Sequence, residues 1–437
     1  MILKTINEIV VLISIFNVIS SQDNFTIIDL TQVRDIYMTK TYFGSSYQEM
    51  ELIIDTFHTE ISIMDKKCAI CKLKLSFNKD ISETYVQLSE NKTTIQMNNE
   101  DFIGYLSKDV FKINNLIIPN LTFLLVDNVT HNKIFFDEGY LALGFSKQRK
   151  SLVKLLKEQN YISKAMYSLQ LKKKNEKGYL CFGGYDKTEI NETLYKNMTF
   201  TNIWYNDIEK DNFTEWFIPI KYLYIKAGHK ANNITFAQKI ILNSSIDKIL
   251  IPKNFYLQYM NVIFSEDKLC EIQKDNRLHC KCDAKYERSF PTFYFHYENS
   301  NIFRSSFKVT PSDYIIMDSS KKESESNVNC ILQMSMNYKG NYWIFGTNIM
   351  SNYFFIFDHD NDQIGILEYR TNEHNSEIII LSIIIIACAA TFFMAVYLIF
   401  KKCNQCHNNN NNSSQQRDDT SIQHNFIDAN REEDFHQ

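Results

Sequence analysis

The chain has 437 residues, 44% of them apolar, and a formal net charge of -4 at pH 7. That length exceeds a typical single domain and supplies enough apolar side chain for a sizeable core. The near-balanced charge excludes binding of a polyanion through bulk basicity, and no nucleic-acid partner is expected.

In chain order, residues 1–21 carry Lys4, an apolar stretch from Ile9 to Ile19 and the small pair Ser20-Ser21, the pattern of a secretory signal peptide. The first strong strand pattern is the apolar run Leu52-Ile53-Ile54, which delivers a single carboxylate, Asp55, at its end. Such a strand holds a reactive group on rigid backbone, although a turn-forming Asp gives the same pattern. Residues 75–136 alternate short β-rich runs with polar turns. Ser151 to Gln159 places Leu152, Leu155 and Leu156 on one helical face, with Ser151 as N-cap. Tyr179-Leu180-Cys181-Phe182 reads as an apolar strand that buries Cys181 as a free thiol.

Residues 378–400 form an uncharged run between Glu377 and Lys401-Lys402, and about 20 residues suffice to cross a bilayer. Lysines on the C-terminal side alone place the tail, 401–437, in the cytosol and residues 22–377 outside or in a lumen. Eight Asn-x-Ser/Thr triplets begin at Asn24, Asn91, Asn120, Asn128, Asn191, Asn197, Asn212 and Asn233, and suggest a glycosylated surface. The tail is Asn- and Gln-rich and has too few apolar residues to fold alone. Cys403 to His407 formally fits a haem-attachment pattern, but juxtamembrane palmitoylation suits such a tail better. No cofactor is expected. Histidines at ligand spacing are lacking, so no metal is expected either.

Gly44-Ser45-Ser46-Tyr47-Gln48 followed by the strand to Asp55-Thr56 resembles the first active-site strand of the pepsin-like aspartic proteases. That family reads Gly-Thr-Pro-x-Gln, a short strand, then Asp-Thr-Gly-Ser. Thr94 to Asp109 resembles the flap hairpin, with Met97 at the flap tyrosine, although plain strand packing suits Met97 better. Glu138-Gly139-Tyr140-Leu141-Ala142-Leu143-Gly144 is similar to the segment beneath the catalytic acid. Ile240-Ile241-Leu242-Asn243-Ser244-Ser245, in register with Pro252, stands where the family has its second Asp-Thr-Gly. Phe290 to Phe295 and Val309 to Tyr314 resemble the next strands. Tyr342 to Gly346, Asn352 to Asp358 and Gln363 to Gly365 carry the most specific likeness.

The resemblance covers roughly 31–368 and implies an all-β, bilobal fold with a central cleft. The lobes are 31–186 and 187–368, followed by a linker, 369–377, and one transmembrane helix, 378–400. It also implies that Cys68 pairs with Cys71; Cys330 is expected to pair with Cys282 or Cys280, and the remaining one with Cys270. A redox role for Cys68 and Cys71 would need a βαβ context that the sequence lacks.

Aspartic proteolysis requires two facing carboxylates that share a proton. Here the resemblance keeps Asp55 as the first acid but puts Asn243 at the second, and an amide cannot exchange that proton. Phe57 replaces the motif glycine and Ser245 its counterpart, so the cleft would be lined by Thr56, Phe57, Met97, Ser244 and Ser245, with Phe57 crowding Asp55. A long basic prosegment between the signal and Gly44 is also lacking. Two functions compete. One is a membrane-anchored pseudopeptidase that binds peptide or protein, or presents a surface ectodomain. The other is an aspartic endopeptidase with an altered site. The broken motifs favour the first.

Overall fold

A computed structural model describes residues 25–368, 384–399 and Lys401, apart from 72–74, 98–99, 131–138, 148–149, 173–176, 189, 191–194, 196–197, 204–214, 228–229, 261–262, 265–269, 273–277, 283–289, 298–305 and 318–327. The expected signal, most of the tail, and Asn24, Asn191, Asn197 and Asn212 lie outside the described residues. The chain divides into two units, Met1–Tyr369 and Arg370–Gln437.

The first unit is mostly β and two-lobed. Its described strands form sheets of thirteen, seven and four strands. Strand formation follows burial: Thr292–Tyr297 alternates inward Phe293 and Phe295 with half-buried Tyr294 and His296, the period-two pattern of a sheet with one face on the core. Gln48–Asp55 differs, because Leu52 to Asp55 are all buried and the strand is covered on both faces.

Each lobe contains the same four-strand arrangement. In the first, Gln48–Asp55 runs parallel to Gly139–Ala142, which is antiparallel to Ser62–Met64, which is parallel to Leu116–Val129. In the second, Lys230–Leu242 runs parallel to Trp343–Phe345, which is antiparallel to Ile249–Pro252, which is parallel to Met334–Asn337. Gly144 and Gly346 occupy matching places. A Cβ on Gly144 would lie 2.5 Å from the carbonyl oxygens of Phe57 and His58, and one on Gly346 2.5 Å from that of Ile246. Only glycine fits where these backbones meet.

The lobe boundary expected at 186/187 does not bound the sheets. Tyr353–Asp358 pairs with Met166–Gln170, and Thr199–Asn202 joins the same thirteen-stranded sheet through Gln363–Glu368. Trp216 is fully buried against Phe145, Tyr167 and Phe357, so strands and core both tie the lobes together.

The helix Leu152–Glu158 forms where expected. The Ser151 hydroxyl accepts from Lys154 N at 3.4 Å, and Leu152, Val153 and Leu156 are buried. Val309 to Tyr314 departs from the expected strand. The strand Ser306–Val309 ends, and Pro311–Tyr314 makes one helical turn. Thr310 N donates to Asp313 Oδ2 at 2.8 Å, and proline at the first helical position suits the turn.

Three disulfides join Cys68 to Cys71, Cys270 to Cys280 and Cys282 to Cys330. Cys181 is buried and free, and burial pushes its thiol up to about 12.

In the second unit, residues 384–399 are helical. Among the described residues no helix is long and apolar enough to cross a membrane. The expected span, 378–400, extends beyond that helix into residues 378–383 and Phe400, which are not described.

Candidate functional site

Asp55 closes its strand in parallel register with Ala142, and its backbone oxygen accepts from Leu143 N at 2.7 Å. The carboxylate is fully buried and engaged by three donors. Oδ1 accepts from Phe57 N at 2.8 Å and His58 N at 3.2 Å, while Oδ2 lies 2.5 Å from His58 Nδ1. These partners satisfy both oxygens of the buried side chain.

Asn243 holds the equivalent place after Leu242, and its N–H donates to Phe345 O at 2.9 Å. Its Oδ1 accepts from Ser245 N at 2.9 Å and Ser245 Oγ at 2.6 Å. Both lone pairs of that oxygen are thereby used, which orients the amide and leaves its NH₂ as a pure donor.

The two loops lock together through their central hydroxyls. Thr56 Oγ1 donates to Leu242 O at 2.8 Å and accepts from Ser244 N at 3.1 Å. Ser244 Oγ donates to Ile54 O at 2.6 Å and accepts from Thr56 N at 3.1 Å. All four bonds are buried, so each hydroxyl satisfies two backbone groups that water does not reach.

Phe57 does not disrupt this frame. Its amide bonds Asp55, while its half-buried ring packs across the lobe boundary with the cluster of Phe217, Ile241 and Ile344. The ring finds apolar contact on the second lobe and also packs edge-on against the His58 ring, 4.7 Å between centres. Ser245 is buried as the partner of Asn243.

Met97 does not line the cleft but takes the strand-packing role that the sequence favoured for it. It is fully buried with Met38, Phe102 and Tyr140 in the first lobe, and Ser62 Oγ donates to its sulfur at 3.5 Å. It pairs with Glu100 at the end of the hairpin Val86–Met97 and Glu100–Ile113, where strand alternation turns it inward to a core cluster rather than to a cleft wall.

His58 was missed in the sequence. It stands three residues after the acid, close enough for a polar side chain to fold back onto the carboxylate, and that spacing was the available signal. Below Asp55, Tyr167 OH and Trp216 Nε1 both donate to Leu143 O at 3.0 Å. His359 packs beside Trp216, with 4.7 Å between ring centres, and among the described residues neither of its nitrogens has a hydrogen-bond partner. Burial, reinforced by Lys154, pushes this imidazole down to about 3. Among the described residues no group of His, Cys, Asp or Glu could hold a metal ion.

Of the expected glycosylation positions, Asn91, Asn120 and Asn128 are exposed on strands, and Asn233 lies on Lys230–Leu242. Asn243, which also begins an Asn-x-Ser triplet, is buried in the site.

Comparison with known proteins agrees with this geometry. The family model for eukaryotic aspartyl protease matches residues 36–369. Plasmepsin VI of Plasmodium berghei (strain Anka) is 24% identical over 355 residues, which cover 75% of this chain and 74% of the relative. Pregnancy-associated glycoprotein 1 of Ovis aries is 23% identical over 355 residues, 78% of this chain and 84% of the relative. Secreted aspartic protease 7 of Candida albicans is 29% identical over 182 residues, a match that spans only 30% of that protein's length. With two loops interlocked in this way and the family pattern running through both lobes, the chain belongs to the eukaryotic aspartyl protease family.

Proposed function

We propose that this chain is a catalytically inactive pseudopeptidase that binds peptide or protein segments at the Asp55/Asn243 site. The observation that carries this reading is Asn243, whose Oδ1 is fully occupied by Ser245 and whose NH₂ can only donate. Hydrolysis by this family's chemistry needs an acid that gives up and regains a proton at that position, and removing such a group costs about 10²–10⁴ in rate. An amide donor beside a carboxylate suits recognition of a peptide backbone, which offers both C=O and N–H groups. The intact Thr56/Ser244 lock supports binding, because it keeps the site ordered without the chemistry.

One observation favours the competing reading of a working endopeptidase: Asp55 keeps a titratable partner, the His58 imidazole. The test is cleavage of a denatured protein between pH 3 and 8 by the full-length chain, with Asp55→Ala as the blank and a pepstatin-type inhibitor as a second arm. No difference between the two chains supports the pseudopeptidase. Turnover abolished by Asp55→Ala or by the inhibitor overturns it.

The same reading extends to topology: a type I single-span glycoprotein with its N-terminal side extracellular or in the secretory or lysosomal lumen. Support comes from the uncharged run 378–400 before Lys401-Lys402 and from the helix 384–399, whose Ile386, Phe392 and Phe393 are exposed as an apolar surface that suits lipid. In sealed vesicles, added protease should remove only the tail, and glycosidase should lower the mass of the protected part. An unglycosylated N-terminal region on the cytosolic side would refute this topology.

A further inference from the structure

The second lobe carries an apolar strip that leads to the site. Phe217, Ile241, Ile344 and Leu250 stand in one cross-strand row over four neighbouring strands of the seven-stranded sheet. Residues paired in this way share one face of a sheet. Ile241 lies two positions before Asn243, so the row borders the site. On the side away from Asn243 the strip is bounded by charge. Lys239 Nζ sits 4.8 Å from the Phe217 ring centre and 5.3 Å from that of Tyr342, and it pairs with Glu215 Oε2 at 3.3 Å.

The two lobes cover equivalent residues differently. Ile53, two positions before Asp55, shares a buried cluster with Met97 and Phe102, which the hairpin of its own lobe supplies. Ile241 shares one with Phe217 and Ile344, and the Phe57 ring packs against it. Among the described residues of that second cluster, Phe57 alone comes from the first lobe. It reaches over from the loop that follows Asp55, and its ring stays half-buried. The hydrogen bond from its amide to Asp55 does not depend on the ring, so rotation of this one side chain uncovers the strip.

We infer that Phe57 is an internal, displaceable occupant of a pocket for one large apolar side chain of a peptide bound at the Asp55/Asn243 site. A bound peptide brings its backbone to the Asn243 amide and a neighbouring side chain to the strip. Phe57 holds the second of these places in the free chain. Binding then exchanges one apolar side chain for another, and the strip is covered in both states. The exchange also selects. A peptide with only small side chains gains no burial that offsets uncovering the strip, so it does not displace the ring. The inference rests on the peptide-binding reading proposed above and adds the class of side chain that the site takes.

The test is calorimetric titration of the full-length chain with two blocked heptapeptides. One is Lys-Ala-Ala-Phe-Ala-Ala-Lys, and the other has alanine in place of phenylalanine. Phe57→Ala empties the pocket and keeps the amide that bonds Asp55. It should bind the phenylalanine peptide about tenfold or more tighter than the unmodified chain does, because the ring no longer holds most molecules in a closed state. Affinity for the alanine peptide should not change. Phe57→Leu, the milder variant in case Phe57→Ala does not fold, should show a smaller gain for the phenylalanine peptide alone. Toluene gives a second readout: it should raise the thermal midpoint of Phe57→Ala and leave that of the unmodified chain unchanged. Equal gains for both peptides, or no gain for either in a chain that binds them, would overturn the inference and spare the peptide-binding reading. A folded Phe57→Ala chain that ignores toluene would overturn the inference too. Absence of binding by every chain to both peptides would refute the reading and the inference together.

Discussion

Asp55-Thr56-Phe57-His58 and Asn243-Ser244-Ser245-Ile246 occupy equivalent places in two copies of one strand arrangement, and they differ where chemistry is decided. In both, the residue two positions on donates its N–H to the side-chain oxygen, Phe57 to Asp55 and Ser245 to Asn243. In both, the hydroxyl between them reaches across to the other lobe. The halves part at the remaining donor. The first adds an imidazole to the outer oxygen of a carboxylate, and the second adds a hydroxyl to the same oxygen of an amide. The backbone lock thus survives in a chain that lacks the second acid. The lock satisfies buried amides and carbonyls, which matters for folding whether or not the site reacts.

Any comparison of the halves at acid pH meets a larger effect first. Among the described residues the buried His359 ring has no hydrogen-bond partner, and burial pushes it down to about 3, against 6.5 for a free imidazole. Its folded pKa is depressed, so below pH 6.5 the unfolded chain binds a proton that the folded chain refuses. Stability is therefore full above that pH and falls as pH drops towards 3, by up to about 5 kcal/mol. Urea unfolding of His359→Phe should show a shallower acid decline than the unmodified chain. Equal slopes would show that His359 is hydrated.

The lock is the next largest effect. Thr56→Val keeps the shape and removes one donor and one acceptor, leaving Leu242 O and Ser244 N unpaired. At about 1–3 kcal/mol per buried orphan, a loss of roughly 3 kcal/mol is expected. Ser244→Ala should cost about the same. The double variant should lose less than the sum, because the two hydroxyls belong to one network. Strict additivity in denaturant midpoints would show that the halves are independent. His58→Ala should cost less, about 2 kcal/mol at pH 7, the range for one hydrogen bond to a charged group. Unchanged stability would mean that water replaces the imidazole.

The places of Asp55 and Asn243 were legible because an apolar run must end at each and a glycine must sit beneath each, at Gly144 and Gly346. The helical turn at Pro311 went unread, because the apolar residues around it suggest strand, although Thr-Pro-Ser-Asp is a capping pattern. The Cys330 partner was not legible. Cys280 faces both Cys270 and Cys330 from the middle strand, and only the packing of three strands gives Cys282 to Cys330. Phe57 was legible as a departure from the family's small residue and His58 only as a spacing, but where the two rings go was not: His58 turns back to Asp55 and Phe57 crosses to Phe217 and Ile344.

The smallest expected effect is from Asn243→Asp alone. It restores the missing carboxylate within a frame that is otherwise intact. The obstacle is the His58 ring. A working pair shares one proton between two facing carboxyl groups, whereas Asp55 Oδ2 is already taken by His58 Nδ1. A carboxylate at 243 would likewise keep Ser245 N and Oγ on one of its oxygens. Cleavage of a denatured protein by Asn243→Asp should therefore stay within about tenfold of the Asp55→Ala blank, well short of the 10²–10⁴ that one acid–base group is worth. Adding His58→Ser removes the imidazole from Oδ2 and should raise the rate above the single variant. If Asn243→Asp alone restores the full factor, the His58 contact to Asp55 is no obstacle and the two halves differ only in one atom.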